Sequence, residues 1–339
     1  MNSKLRIAFI YHKENPFMTG NHFDNTYYNF FIKAFKRNPK LTVINFPTGD
    51  KFDCTELKDD FDAVLLWENT PFGMPKKIIG INALKIPILC RTGDPSWAKE
   101  SRKLHEEWNI NHYFDFFPES FIRQIYPSDF KYKTIFYGLE AQLYKNLTPF
   151  NQRIKDRILV TGAIGKTKLA SKLANSLKTN YQGKRNLFSK WSALQCYTLR
   201  TKCTTLPYVD YTTTLAHEYI NDKYPLLLQK YASSIAATTF HANIKYWEIP
   251  AAGCLTFMEV TEKNNAKRTG FIDDETCVYI NESNYVEKFS EFLETSDDPK
   301  WEKIASNGRK FALENFNNDV AVTSLIQLIR DVIKEKELE

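Results

Sequence analysis

The sequence predicts an α/β protein made of two parallel-sheet domains in series, and three observations carry that prediction. The chain has 339 residues, long for a single hydrophobic core and suited to two domains of roughly 150–170 residues. Short β-branched runs alternate with stretches of helical apolar spacing, the pattern of βαβ units. The alternation is interrupted once, by the polar, proline-containing stretch AQLYKNLTPFNQRIKD (141–156), and then restarts.

In the first domain, residues 1–150, LRIAFIY (5–11) is the first strand and NTYYNFFIKAFKR (25–37) the first helix. LTVINF (41–46), DAVLLW (62–67) and IPILC (86–90) are short apolar runs of β character. SWAKESRKLHEEW (96–108) is a helix with a polar face, and KTIFYG (133–138) is a further strand. The second domain, residues 151–318, opens with the strand RILVTG (157–162), and Leu169, Leu173 and Leu177 then mark a helix at i, i+4, i+8. NYVEKFSEFLE (284–294) starts with an Asn-x-x-Glu capping box. From Trp301 onward the pattern is helical throughout, with residues 319–339 as a separate C-terminal helix.

Composition narrows the class. A 43% hydrophobic and 25% charged chain is an ordinary globular one. No run approaches the roughly 18–20 apolar residues that span a bilayer, and Ile7–Tyr11 is short for a signal peptide. The six cysteines, at 54, 90, 196, 203, 254 and 277, show no metal-ligand spacing. They read as scattered buried thiols, which points to the reducing cytoplasm. The net charge is +6, yet the ten Lys and Arg between Arg157 and Val209 have no acidic residue among them. Such a segment favours a nearby anion, whether phosphate, nucleic acid or an acidic membrane surface, or is a solvated basic face.

Within that segment, RILVTGAIGKTKLASK contains Gly165-Lys166-Thr167 after an apolar strand. A P-loop NTPase needs a glycine five residues before Gly165, and that position is Val160. A tight strand-to-helix turn at Gly162 and Gly165 remains, with Lys166 beside the first N–H groups of the following helix. That combination suits an anion, and it equally fits a Gly-rich turn carrying surface lysines.

Further on, Asn243-Ile-Lys-Tyr-Trp-Glu-Ile-Pro-Ala-Ala-Gly253 precedes the apolar run CLTFMEV. Lys245 and Glu248 share one helix face with about 4.5 Å of rise between them. The spacing fits a phosphate and a ribose cis-diol, and it equally fits an exposed i,i+3 ion pair. Pro250 bends the last turn.

Lys245-x-x-Glu248-x4-Gly253 followed by an apolar strand resembles the donor-site segment of group 1 glycosyltransferases with the GT-B fold. The similar branch is the spore-maturation (CgeB-type) one. Tyr224-Pro-Leu, Ala237-Thr238-Thr239, Gly270-Phe-Ile-Asp-Asp and Trp301–Phe316 with Asn307-Gly-Arg-Lys extend the likeness. It covers residues 157–330 and is architectural over 1–150.

The resemblance implies two Rossmann-like domains facing across a cleft, with the C-terminal helix crossing back to the first. It implies a nucleotide-sugar donor, a glycan, lipid or protein-linked acceptor, and neither a cofactor nor an obligatory metal. By it, Glu248 holds the donor ribose, and Lys245 and Lys166 neutralise the diphosphate. Gly20 in MTGNHFD approaches the donor phosphates, as do Gly162 and Gly165. His241 and Asn243 stand where sugar or phosphate contacts fall. An acceptor-activating base has to come from the first domain, where Asp94 in Arg91-Thr-Gly-Asp-Pro follows a strand end and His12 closes the first strand. The family's Glu-x7-Glu pattern is broken, since the first glutamate is replaced by Phe240. That departure keeps a non-catalytic sugar-nucleotide-binding protein as the alternative. Nucleic-acid binding through 157–209 has no recognisable motif behind it, and basic and aromatic surface leaves peripheral membrane contact open.

Overall fold

The computed structural model describes residues 4–15, 27–57, 61–68, 73–165, 193–212 and 221–338. The chain forms two compact units, Met1–Glu140 with Phe316–Glu339, and Ala141–Asn315.

The strands of the first unit are β1 (Leu5–His12), β2 (Leu41–Thr48), β3 (Lys51–Asp53), β4 (Ala63–Leu66), β5 (Lys77–Ile79), β6 (Ile88–Arg91), β7 (His112–Asp115) and β8 (Tyr132–Thr134). Six of them form one parallel sheet in the order β2-β1-β4-β6-β7-β8, and β3 pairs separately with β5. β4 and β6 are buried along their whole length, which is why they read as unbroken apolar runs and not as alternating ones. The helix Asn318–Glu337 packs on the helix Tyr27–Arg37. Arg37 ties them by donating to Glu140 Oε2 at 3.0 Å and to Asp319 Oδ1 at 3.0 Å.

The second unit contains β9 (Ile158–Thr161), β10 (Val209–Thr212), β11 (Ser233–Ala236), β12 (Leu255–Glu259) and β13 (Val278–Ile280). They form a parallel sheet in the order β10-β9-β11-β12-β13. From β9 the chain first adds β10 on one side and then crosses to β11 on the other. The carboxyl ends of β9 and β11 therefore flank a topological switch point, the place where open α/β sheets take ligands. Ile158, Val160, Ile235, Leu255, Phe257, Val278 and Ile280 form the core with Phe289, Phe292 and Trp301.

The helix Pro299–Asn315 ends before Asn317, whose side chain accepts from the Val320 N–H at 3.0 Å and starts the helix Asn318–Glu337. One local expectation is corrected. The Asn284 capping box does not form. The Asn284 carboxamide instead accepts from the Asn281 N–H at 2.8 Å, closing the turn after β13.

All six cysteines are unpaired, and five are buried. Among the described residues no helix is long and apolar enough to cross a membrane.

The helix Pro299–Asn315 lies against the helix Lys245–Ala251, and Gly308 sets how closely it sits. A Cβ at Gly308 would lie 2.2 Å from the Thr276 carbonyl oxygen and 3.5 Å from Pro250 Cβ. Gly308→Ala is expected to lower stability by about 2 kcal/mol through overpacking against backbone, read as a lower urea midpoint with unchanged slope.

Candidate functional site

The switch point of the second sheet gathers polar groups from four elements. β9 ends at Thr161, and the chain turns at Gly162 with φ 101°, a conformation open to glycine and strained for other residues. The opening at its α-carbon is also filled from both sides. A Cβ at Gly162 would meet Lys245 Cε at 2.9 Å and Arg200 Nη1 at 3.0 Å, with Lys245 Nζ at 3.7 Å.

Lys245 is the first residue of the helix Lys245–Ala251 and is 7% exposed. Asn243 Oδ1 accepts its backbone N–H at 3.1 Å, and so caps the helix that delivers it. The ammonium donates to Thr161 Oγ1 at 2.9 Å and to the Tyr224 hydroxyl at 3.0 Å. Those two hydroxyls share a further hydrogen bond of 2.8 Å, and the ammonium lies 4.6 Å from the Tyr224 ring centroid.

Arg200, 1% exposed, comes from the helix Thr198–Cys203. It donates to the Ala163 carbonyl at 3.2 Å and to the Ala237 carbonyl at 2.6 Å, bridging the ends of β9 and β11. Its guanidinium lies 4.3 Å from the Tyr197 ring centroid, and its Nε has no hydrogen-bond partner among the described residues. Among the described residues neither Lys245 nor Arg200 forms an ion pair.

Glu248 is half-buried, and among the described residues its carboxylate has no hydrogen-bond or ion-pair partner. The exposed i,i+3 ion pair that the spacing allowed is therefore absent, because Lys245 turns inward to the two hydroxyls. Burial lowers the Lys245 pKa, with the Glu248 charge opposing and Arg200 adding to the effect. Burial raises that of Glu248 against the pull of Lys245. Burial also lowers that of Arg200. Glu259, at the end of β12, is pushed up to about 7 by burial, and its Oε2 has no hydrogen-bond partner among the described residues.

The other expected residues fall as follows. The Gly165 N–H donates to Thr201 Oγ1 at 2.8 Å, so it is already committed inside the unit. His241 is half-buried, its Nδ1 3.2 Å from the Ala242 carbonyl. Phe240 is buried, and the Lys263 ammonium lies 4.4 Å from its ring centroid. Asp94 is in the first unit, exposed, and its carbonyl accepts the Trp97 N–H at 2.9 Å to open a helical turn. His12 also lies there, its Nε2 3.6 Å from Asp50. Lys166, Gly20 and the helix expected at Leu169, Leu173 and Leu177 lie outside the described residues.

Arg200 and Thr161 were not singled out from sequence, and Tyr224 was named only within the Tyr-Pro-Leu stretch that extends the likeness, with no contact assigned to it. Arg200 had one legible signal, its place in the stretch without acidic residues, and nothing marked it apart from the nine other cations there.

The fold is GT-B. Over 98% of this chain and all of theirs, two solved structures are similar at TM-scores of 0.57 and 0.55 with 12% and 13% identity. These are sucrose-phosphate synthase from Thermosynechococcus elongatus and Anabaena HepE in complex with UDP-glucose. A glycosyltransferase from Rickettsia africae is similar at a TM-score of 0.55 with 11% identity, over 98% of this chain and 99% of that one. No family model and no curated protein matches the sequence.

Among the described residues Lys245 has no ion-pair partner, and without it Thr161 and Tyr224 still satisfy one another. An isolated buried ion costs several kcal/mol. Lys245→Met is therefore expected to melt at or above the wild-type temperature in the absence of ligand. A clear fall in Tm would show that the ammonium is a net stabiliser.

Proposed function

We propose that this chain is a glycosyltransferase that moves a sugar from a nucleoside-diphosphate sugar to an acceptor hydroxyl. The observation that carries the reading is the pair of buried cations Lys245 and Arg200, meeting at Gly162 and forming no ion pair among the described residues. Two adjacent positive charges held out of water favour a doubly charged anion, and a diphosphate supplies one. Glu248, one turn along from Lys245, offers free acceptor positions for the two hydroxyls of a ribose. The resemblance to the spore-maturation branch adds the same roles for Lys245 and Glu248, and the sequence offers Lys166 as a further cation. HepE, of the same fold, is solved with UDP-glucose, which makes UDP-sugars the first donors to test.

In the reaction the bond from the anomeric carbon to the β-phosphate oxygen breaks, and the acceptor oxygen forms the new bond as it loses its proton. Negative charge grows on the departing diphosphate. Lys245 and Arg200 are fixed where that charge develops, in the manner of side-chain cations serving in place of a metal. Preorganised groups of this kind lower a barrier by about 3–4 kcal/mol each. Asp94 is the proposed acceptor-side base.

Phe240 favours a second reading, binding of a sugar nucleotide without transfer. It stands where the family's sugar-facing glutamate falls, and it is buried under Lys263, so it supplies no carboxylate. Donor turnover separates the two: a transferase releases nucleotide from at least one donor, if only by slow hydrolysis, and a binding protein does not.

Thermal-shift measurements with UDP-, GDP-, ADP-, CMP- and dTDP-linked sugars test the site itself. At least one diphosphate-linked donor is expected to raise Tm, and CMP-sugars, with a single phosphate, to raise it less. Glu248→Ala and Arg200→Gln are each expected to weaken donor binding by about 10–100-fold, the worth of a charge-assisted hydrogen bond of about 1.5–3 kcal/mol. A wild-type protein that none of these donors stabilises would end the reading.

For the base, Asp94→Asn is expected to lower kcat by about 100-fold or more and to leave the donor Kd unchanged. An unchanged kcat would remove Asp94 from the reaction.

A further inference from the structure

Lysine is a flexible four-carbon stem ending in a compact charge with three donors. A lysine that has to meet a ligand from a buried position therefore needs something to aim it. In this protein the ammonium of Lys245 is held by oxygens from two different elements, Thr161 at the end of β9 and Tyr224 at the start of the helix Tyr224–Leu228. Tyr224 has the larger share of the contact. Its hydroxyl accepts from the ammonium at 3.0 Å, its ring lies beneath the same charge at 4.6 Å, and its hydroxyl also bonds Thr161 at 2.8 Å. The side chain is itself 6% exposed, fixed by the helix that begins there. Two of the three ammonium donors are used in this way by the described residues.

We propose that Tyr224 is a positioning residue of the anion site: its hydroxyl and ring, with the Thr161 hydroxyl, hold the Lys245 ammonium at Gly162 for an incoming diphosphate. Only the last clause rests on the donor reading above; the hold on Lys245 stands by itself. The charges facing Lys245 are Glu248 from its own helix, which favours the ammonium, and Arg200 from the helix Thr198–Cys203, which disfavours it. β9 contributes Gly162 and Thr161, neither of them titratable. Against burial and Arg200, the Glu248 charge favours the protonated lysine, and a hydroxyl that accepts from the ammonium favours the same form, because a hydrogen bond to the charged form stabilises it. A lysine is charged below its pKa. Anion affinity that depends on Lys245 is therefore full at lower pH and lost as pH rises through that pKa.

The test is the titration of Lys245 itself, followed by NMR in protein labelled with 13C at lysine Cε and assigned by its disappearance in Lys245→Met. Tyr224→Phe keeps the ring and removes the hydroxyl. It is expected to move the Lys245 midpoint down by about one pH unit, and Thr161→Val is expected to move it in the same direction. Thr161→Val also carries the comparison should Tyr224→Phe fail to fold. In a second arm, UDP affinity is measured from about pH 6 to about pH 9. The fall in affinity with rising pH is expected to begin earlier in Tyr224→Phe, by the same increment, with the low-pH affinity close to wild type. A Lys245 midpoint that stays put in the folded variants would overturn the proposal. A midpoint that moves while UDP binds to no form at any pH would uphold the positioning role and overturn the donor reading.

Discussion

Positive charge kept out of water with no ion pair among the described residues is the constraint around which the second unit is arranged. Taking an ion out of water costs several kcal/mol even after relaxation, and the protein meets that cost at Lys245 and Arg200 with dipoles. Hydroxyls of Thr161 and Tyr224 solvate the ammonium, and the carbonyls of Ala163 and Ala237 solvate the guanidinium. Dipoles lower the energy of a charge and leave its sign in place. The first unit handles an equally buried arginine in the opposite way. Arg91, at the end of β6, is bound to Glu68 and to Asp115 (3.0 Å), and Asp115 also accepts from Thr92 and Tyr137 at 2.9 Å each. Two carboxylates against one guanidinium leave no field for an anion. Both arginines stand at the carboxyl edge of a parallel sheet, and only Arg200 leaves positive charge uncompensated there.

That difference also decides what a sequence discloses. Strands whose burial is carried by aliphatic side chains were legible: LRIAFIY, DAVLLW, RILVTG and CLTFMEV all appear in the sheets, with ends that differ by no more than one residue. β7, HYFD, was not. Its Asp115 is fully buried, and a buried aspartate reads as surface until its partners, 24 residues back at Arg91 and 22 ahead at Tyr137, are known. In the site, the Lys-x-x-Glu spacing located the helix and Gly162 located the turn. The spacing could not say that the two side chains part, Lys245 going inward to the hydroxyls and Glu248 staying half-buried and unpaired. Arg200 was hidden for a related reason. What makes it different from its neighbours is the pair of carbonyls it reaches, one from each of two strands, and such long-range partners leave no local pattern.

A site of this kind has to be held in place by structure that does not depend on it, because its own charges contribute little to stability. The helix Lys245–Ala251 has seven residues, with Pro250 in its last turn, and is too short to persist by its own hydrogen bonds. Packing holds it instead. Trp247 and Ile249 are fully buried, and the Tyr246 hydroxyl donates to the Glu259 carbonyl at 2.9 Å at the end of β12. Asn264 reaches the carbonyls of both Thr238 and Glu259 at 2.9 Å each, joining the loop before the helix to the strand after it. Gly308 admits the backbone of Thr276 to the far side, beside Pro250. Each of these contacts uses a group other than Lys245, Arg200 or Glu248. The scaffold is thus neutral and closely packed, while the charged groups sit on it at a cost. This division accounts for how a turn of helix broken by a proline can present a lysine and a glutamate in fixed positions at the edge of a sheet.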